Sequence, residues 1–235
     1  LEDAKAIPIE NYTAESIQAL QASIAKAEEV LANPQATQAQ IDEALEELTR
    51  TKAALIAIDF TQIIPIADNN LKQAIQQTLG LSGEITLGDM ITLTSLHAPN
   101  ARITNLEGLQ YAKNLTSLDI SANSITDFSP LQSLGALDTI TAQPQVVEVS
   151  SLTGPIATVE NLVKGLDGQY LNPYQIGLRN TKTMKEIYVD VEQLTPNTDH
   201  FTIDLSYEEQ GTYMLVIAYK LNEDTLIQLT YYVKN

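Results

Sequence analysis

The sequence contains no cysteine. That removes disulfides, thiol nucleophiles and cysteine-based metal sites, and it assigns no compartment. Basic residues are scarce: 13 Lys and Arg stand against 30 Asp and Glu, a formal net charge of -17. Acids outnumber bases along the whole chain, so no basic patch exists to neutralise phosphates. Nucleic acid is therefore excluded as a partner, and anionic lipid is disfavoured for the same reason. No apolar run reaches the ~18 residues needed to span a membrane, so direct insertion of this chain is not expected. No signal peptide opens it, and it begins with Leu1 rather than Met, so a fragment of a longer protein is expected.

Catalytic signatures are missing too. The sequence has no G-x-x-x-x-G-K-[ST], no G-x-G-x-x-G, no H-E-x-x-H, no G-x-S-x-G and no EF-hand loop. Any acidic chain offers carboxylate pairs, so they alone do not argue for glycoside hydrolysis. Asn11-Tyr-Thr13 and Asn114-Leu-Thr116 match the glycosylation sequon and are read as chance matches. No catalytic residue, metal site or cofactor is expected.

What is present is a period. Leu93, Leu115 and Leu137 recur every 22 residues, as do Leu96, Leu118 and Ile140, and Ala98, Ile120 and Ala142. Ile103, Leu106, Leu109 and Ala112 are matched by Ile125, Phe128, Leu131 and Leu134. The pattern L-x-x-L-x-L-x-x-N-x-I at this period marks a leucine-rich repeat. One coil cannot bury its own apolar residues, so successive coils must stack. Asn123 sits where the chain leaves the strand, and its amide can satisfy backbone groups that stacking would bury. The equivalent residues are Ala101 before it and Gln145 after it. About two and a half coils are present.

The flanks read differently. Thr13 is placed to cap a helix running to about Leu31, with Ile17, Leu20, Ile24, Ala27 and Leu31 on one stripe. Asn33-Pro34 ends it, and Thr37-Gln-Ala-Gln40 is a capping box for the next helix. That helix presents Ile41, Ala44, Leu45, Leu48 and Leu55 on one side and a solvated acidic face, Asp42, Glu43, Glu46 and Glu47, on the other. Asp68 is an N-cap for residues 69–79, Gly80 a stop, and Thr86 to Asp89 opens another helical turn. After Val146 the apolar residues alternate: Ile187-Val189-Val191, Phe201-Ile203-Leu205, Tyr213-Leu215-Ile217-Tyr219 and Ile227-Leu229-Tyr231-Val233. Further strands are expected near Val146 to Val149, Pro155 to Val163 and Gln175 to Leu178, with turns at Thr195-Pro196-Asn197 and Asn222-Glu-Asp224. Six or seven short strands in this length suggest a sandwich. Gly211-Thr-Tyr213 looks like the approach to a tyrosine corner.

Three resemblances follow from these residues. Tyr12-Thr13-Ala-Glu-Ser16, Ala25-Lys-Ala-Glu-Glu-Val30-Leu31, Ala36-Thr37 and Ile41-Asp-Glu-Ala44-Leu resemble a FIVAR module, a small three-helix unit of Gram-positive surface and secreted carbohydrate-active proteins. Its first helix would be only Leu1 to Ile7 here, shorter than is usual. Ile64-Pro-Ile-Ala-Asp68, Leu79-Gly-Leu and Ile85-Thr-Leu, with Asn105-Leu-Glu-Gly-Leu109 and Ile125-Thr-Asp-Phe-Ser-Pro130-Leu131, resemble the cap and repeats of internalin-like proteins. Gly168-Gln-Tyr-Leu-Asn-Pro173 with Ile187-Tyr-Val is similar to the immunoglobulin-like module that follows such repeats.

The expected architecture is a multi-domain chain. An all-α three-helix module (1–58) precedes a leucine-rich-repeat solenoid with a helical N-cap (59–145) and an all-β immunoglobulin-like sandwich (146–235). The resemblance implies a non-catalytic cell-surface protein acting in adhesion, in protein or glycan binding, or as a stalk. The alternative is an accessory binding region of a larger secreted carbohydrate-active enzyme. Partners would be a host or cell-surface protein or a cell-wall glycan, met by a monomer outside the Gram-positive cell, at its surface or wall. Internalin-like proteins bind through the concave strand face. Here that face carries Ser95, His97, Ser117, Asp119, Ser121, Thr139 and Thr141, with Pro99 and Gln143 at its margin. No Trp, Tyr or Arg, the usual hot-spot residues, occurs on it. His97 is read as an ordinary exposed strand residue, since no second His or facing carboxylate pair gives metal spacing. Eight of the ten tyrosines follow residue 165, and packing explains most of them; a tyrosine-lined sugar platform is the sharper reading.

Overall fold

The first 60 residues lack glycine and are rich in alanine, and they fold as helices. The computed structural model describes residues 1–145, 152–153, 156–191, 199–222 and 225–234. The chain divides into two units, Leu1–Phe60 and Thr61–Asn235.

The first unit contains α1 (Glu2–Lys5), α2 (Ala14–Ala32) and α3 (Gln38–Ala53). Ala4, Leu20, Ala27, Ala44 and Leu48 form its core. Three of the five are alanines, so little separates the helices. A buried hydroxyl pair, Ser23 Oγ and Thr51 Oγ1 at 2.7 Å, joins α2 to α3. The Thr37–Gln40 capping box opens α3 as expected. Thr13 occupies the N-cap of α2, but its side chain does not cap. Its hydroxyl instead meets Ser16 Oγ at 3.1 Å, and Ser16 Oγ accepts from the Ile56 N–H. The apolar stripes are also narrower than their sequence suggests. Leu31, Ile41 and Leu45 are 66%, 37% and 61% exposed. Leu31 lies in the last turn of α2 and Ile41 in the first turn of α3, while Leu45 is turned one position off the buried Ala44–Leu48 line. The acidic residues of α3 face solvent, with Glu43 paired to Lys26 and Glu47 to Arg50.

The second unit begins with α4 (Asn69–Leu79) and α5 (Leu87–Thr92). Asp68 caps α4, Gly80 ends it at φ +69°, and a Thr86–Asp89 capping box opens α5. Leu71, Ile75, Ile85 and Met90 are fully buried. Three short strands follow: β1 (Ser95–His97), β2 (Ser117–Asp119) and β3 (Thr139–Thr141). They pair in parallel, each residue with the one 22 positions on. Leu96, Leu118, Ile103, Ile125, Leu106 and Phe128 all point into one core. Stacking would strand the turn's backbone groups, and Asn123 prevents this. Its Oδ1 accepts from the N–H groups of Ala101 and Ile103, and its Nδ2 donates to the carbonyls of Ala98 and Ile120. Gln145 repeats the arrangement one coil later, on Ile125 N–H and the Ile120 and Ala142 carbonyls.

Beyond the strands lie two sheets. The larger has the order β4 (Leu152–Thr153), β10 (Leu226–Lys234), β9 (Thr212–Lys220), β6 (Pro173–Asn180), β7 (Glu186–Val189); the smaller pairs β5 (Ile156–Glu160) with β8 (His200–Asp204). All pairings are antiparallel except β4 with β10. Inward residues of both sheets share the core of the coils, among them Val159, Phe201, Ile176, Leu215, Ile217 and Leu229. Tyr213, fully buried, donates its hydroxyl to the Glu209 carbonyl at 2.6 Å, the bond expected of a tyrosine corner. The coils meet the sheets through backbone bonds: Lys164 N–H to Thr126 O, Phe128 N–H to Lys164 O, and Gln145 N–H to Gln228 O. The expected strand at 146–149, the start of the one at Pro155, and the turns at 195–197 and 223–224 lie outside the described residues.

Candidate functional site

Strand alternation decides which side chains leave the coils. Leu96 and Leu118 are buried, so their neighbours on β1 and β2 face outward. The structure brings the sequence-predicted residues together in rows. Ser95, Ser117 and Thr139 form one row, and His97, Asp119 and Thr141 the next. Ser95, His97, Thr139 and Thr141 are exposed, as are Pro99 and Gln143. Ser117, Asp119 and Ser121 are half-buried.

One interaction organises the face. His97 Nδ1 lies 2.9 Å from Asp119 Oδ2. Asp119 Oδ1 accepts from the Ser121 hydroxyl at 2.7 Å and from its N–H at 3.0 Å. Partial burial pushes the Asp119 carboxyl up, but the Ser121 hydroxyl and N–H and the imidazole outweigh it and hold the carboxyl below its ordinary value. The pairing was legible in the sequence, because His97 and Asp119 differ by one period of 22; reading His97 by itself missed it.

Ser121, Asp119 and His97 are a nucleophile, an acid and a base in contact, so their order matters. In a hydrolytic triad the imidazole lies between hydroxyl and carboxylate and takes the hydroxyl proton. Here the carboxylate lies between hydroxyl and imidazole. This trio does not activate Ser121. Among the described residues, no group of three His, Asp or Glu gathers to hold a metal ion. The face offers hydroxyls, one imidazole and one carboxylate, which suits hydrogen bonding to a partner surface.

The tyrosines divide by position. Tyr213 and Tyr219 are fully buried, whereas Tyr174, Tyr188 and Tyr207 are 58%, 66% and 94% exposed. Tyr170 lies under the Lys164 ammonium, 5.5 Å from ring centre to nitrogen.

Residues 1–55 match the FIVAR domain family. Two solved structures match over 100% of this chain at 31% identity, both from ZmpB of Clostridium perfringens. One contains CBM51-2 and INT domains (TM-score 0.74), the other CBM51-2 in complex with GlcNAc and INT domains (TM-score 0.72). The chain spans about half the length of these relatives, 49%. An internalin C2 from Listeria monocytogenes is 30% identical over 37% of this chain and 41% of its own, with a TM-score of 0.34. No curated protein matches the chain.

Proposed function

We propose that this chain is a non-catalytic accessory region of a larger extracellular bacterial protein directed at carbohydrate. The observation that carries the reading is the match over the whole chain, at 31% identity, to ZmpB structures in which INT domains accompany CBM51-2. The FIVAR match over residues 1–55 supports the same setting. Within the proposal, residues 1–58 are a FIVAR-like module, 59–145 an internalin-like cap with leucine-rich repeats, and 146–235 an immunoglobulin-like sandwich. The 22-residue register of β1 to β3, the Asn123 bonds and the Tyr213 hydroxyl bond support these assignments. The location is the Gram-positive cell surface or wall.

A second reading has its own observation. The exposed His97–Asp119 pair gives the strand face a polar centre that a host or cell-surface protein can meet. On this reading Ser95, His97, Ser117, Asp119, Ser121, Thr139 and Thr141 form the contact, and the chain acts as an adhesin. Incubating the chain with cell-wall glycans, and assaying both turnover and capture, tests the first reading, and a capture screen against host matrix proteins tests the second. Capture or inertness without turnover is the expected result. Glycan hydrolysis by the isolated chain would overturn both.

A further inference from the structure

The outer face of the five-stranded sheet carries a trough of about 340 Å³, and its shape follows from three rungs of paired residues. On the middle rung, Tyr188 of β7 is paired with Gly177 of β6, which is paired with Val216 of β9. One end rung pairs Glu186 with Arg179 and Arg179 with Met214. The other pairs Gln175 with Ala218 and Ala218 with Gln228. The floor is therefore short (Gly177, Val216, Ala218), and long polar residues stand at both ends. Gln143, just beyond β3, closes the Gln end.

Gly177 is informative because its backbone does not need glycine. It has no positive φ, and an added Cβ would find only ordinary contact with the Tyr188 ring, at 3.8 Å. Glycine inside a strand weakens it, and it marks places where something approaches the backbone closely. Here its missing side chain leaves open space beside a Tyr ring that is 66% exposed.

We propose that this trough binds a neutral pyranose ring, with Tyr188 as the stacking wall. A pyranose presents C–H groups on its face and hydroxyls around its rim. The Tyr188 ring and the Val216 and Ala218 floor match the face, while the planar amides of Gln175, Gln228 and Gln143 both donate and accept toward the rim. The volume falls within the range of small-ligand sites, ~300–1,000 Å³. Arg179 and Glu186, the charged residues of the lining, stand directly opposite each other, so the trough carries no net charge and favours a neutral sugar over an acidic one. The assignment goes beyond the accessory-region reading and rests on the sheet alone.

Amide spectra of the full chain, titrated with N-acetylglucosamine, galactose or N-acetylneuraminic acid, test it. A neutral sugar is expected to shift the Gly177 and Tyr188 amides saturably. Tyr188→Ala weakens the response about tenfold, Gly177→Leu fills the trough and abolishes it, and Gly83→Ala, remote in sequence and with open space around it, leaves it unchanged. Tyr188 is largely exposed, so its substitution does not threaten the fold. Four results would overturn the proposal: no saturable shift with either neutral sugar, an unchanged response in Tyr188→Ala, loss of response in Gly83→Ala, or a stronger response to N-acetylneuraminic acid. Shifts of the same amides with protein concentration alone would also overturn it, since a second copy would then occupy the trough.

Discussion

Asp68 and Thr104, 36 positions apart, are joined twice: Asp68 Oδ2 accepts from the Thr104 N–H at 2.7 Å and from its hydroxyl at 2.9 Å. The same oxygen accepts from the Asn105 N–H, while Oδ1 accepts from the N–H groups of Asn70 and Leu71. One carboxylate thus caps α4 and ties the cap to the first coil. The side chain is nearly buried, with the residue 8% exposed. Asp68→Ala therefore removes a helix cap, worth ~1 kcal/mol, and the charge-assisted bonds to Thr104 and Asn105, worth ~1.5–3 kcal/mol. Chemical denaturation is expected to show a loss of about 2–4 kcal/mol in the transition of the second unit.

The same residue predicts an acid response. Burial pushes the Asp68 carboxyl up, but the N–H groups of Thr104, Leu71 and Asn70 and the Thr104 hydroxyl outweigh it, and its folded pKa lies below the ordinary 3.8. A depressed carboxylate pKa adds stability that is fully present above the unfolded value. That stability is lost as pH falls through the folded value. Melting temperature should therefore decline as pH drops below about 3.8, and Asp68→Asn should flatten that decline. An identical acid limb in the two proteins would contradict the assignment.

Asn123→Ala tests the turn. The substitution strips partners from the Ala101 and Ile103 N–H groups and the Ala98 carbonyl, all within the coil before it. Each stranded buried group costs ~1–3 kcal/mol, so a loss of about 3 kcal/mol or more is expected in urea unfolding. Asn123→Gln should recover part of it, because Gln145 makes the equivalent bonds with a longer side chain.

These bonds explain what the sequence revealed and what it hid. Each amide serves both its own turn and the one before it, and the Ala98 carbonyl and the Ala101 and Ile103 N–H groups are already met by Asn123, so Ala101 fits in the first turn. Asn70 of α4 instead donates to the Arg102 carbonyl. The pairing of β1, β2 and β3 was legible because a 22-residue period fixes both burial and register. The helical stripes were only partly legible: periodicity identifies an apolar sector but not how far a neighbouring helix covers it, so Leu31, Ile41 and Leu45 were misplaced. The trough was hidden for another reason. Alternation gives the face of each residue in a strand, but the rung joining Tyr188, Gly177 and Val216 depends on register between three strands.

Glycine at 108 is a sharper constraint than glycine at 83. Gly108 has φ +102°, and an added Cβ would collide with Ile66 Cδ1 and come within 2.9 Å of the Pro65 carbonyl oxygen. Gly83 has nothing within 4 Å and no positive φ. Gly108→Ala should cost ~2 kcal/mol or more through strain and displacement of the cap, whereas Gly83→Ala should stay within ~0.5 kcal/mol of the parent. Thermal melts of the two variants, side by side, check both.

The strand face sets the last expectation. The His97 side chain is 74% exposed and that of Asp119 is 26% exposed, so their pair adds little to folding. Exposed pairs are worth ~0–1 kcal/mol, but Asp119→Arg also removes the acceptor of the Ser121 N–H and hydroxyl, so a loss of about 1–2 kcal/mol is expected in its melt. Its other effect belongs to binding. Three strands of three residues present a small polar patch, whereas a stable interface needs ~800 Å² per partner and anchors such as Trp, Tyr or Arg. The patch has none of these anchors, so any affinity for a host matrix protein should be micromolar or weaker. Asp119→Arg should abolish that weak binding, since it reverses the charge beside His97. Biosensor titration of parent and variant against matrix proteins measures it. Nanomolar binding lost in Asp119→Arg would mean that this small hydroxyl-rich face is a primary binding site in its own right, and that shape and water contribute more there than aromatic anchors do.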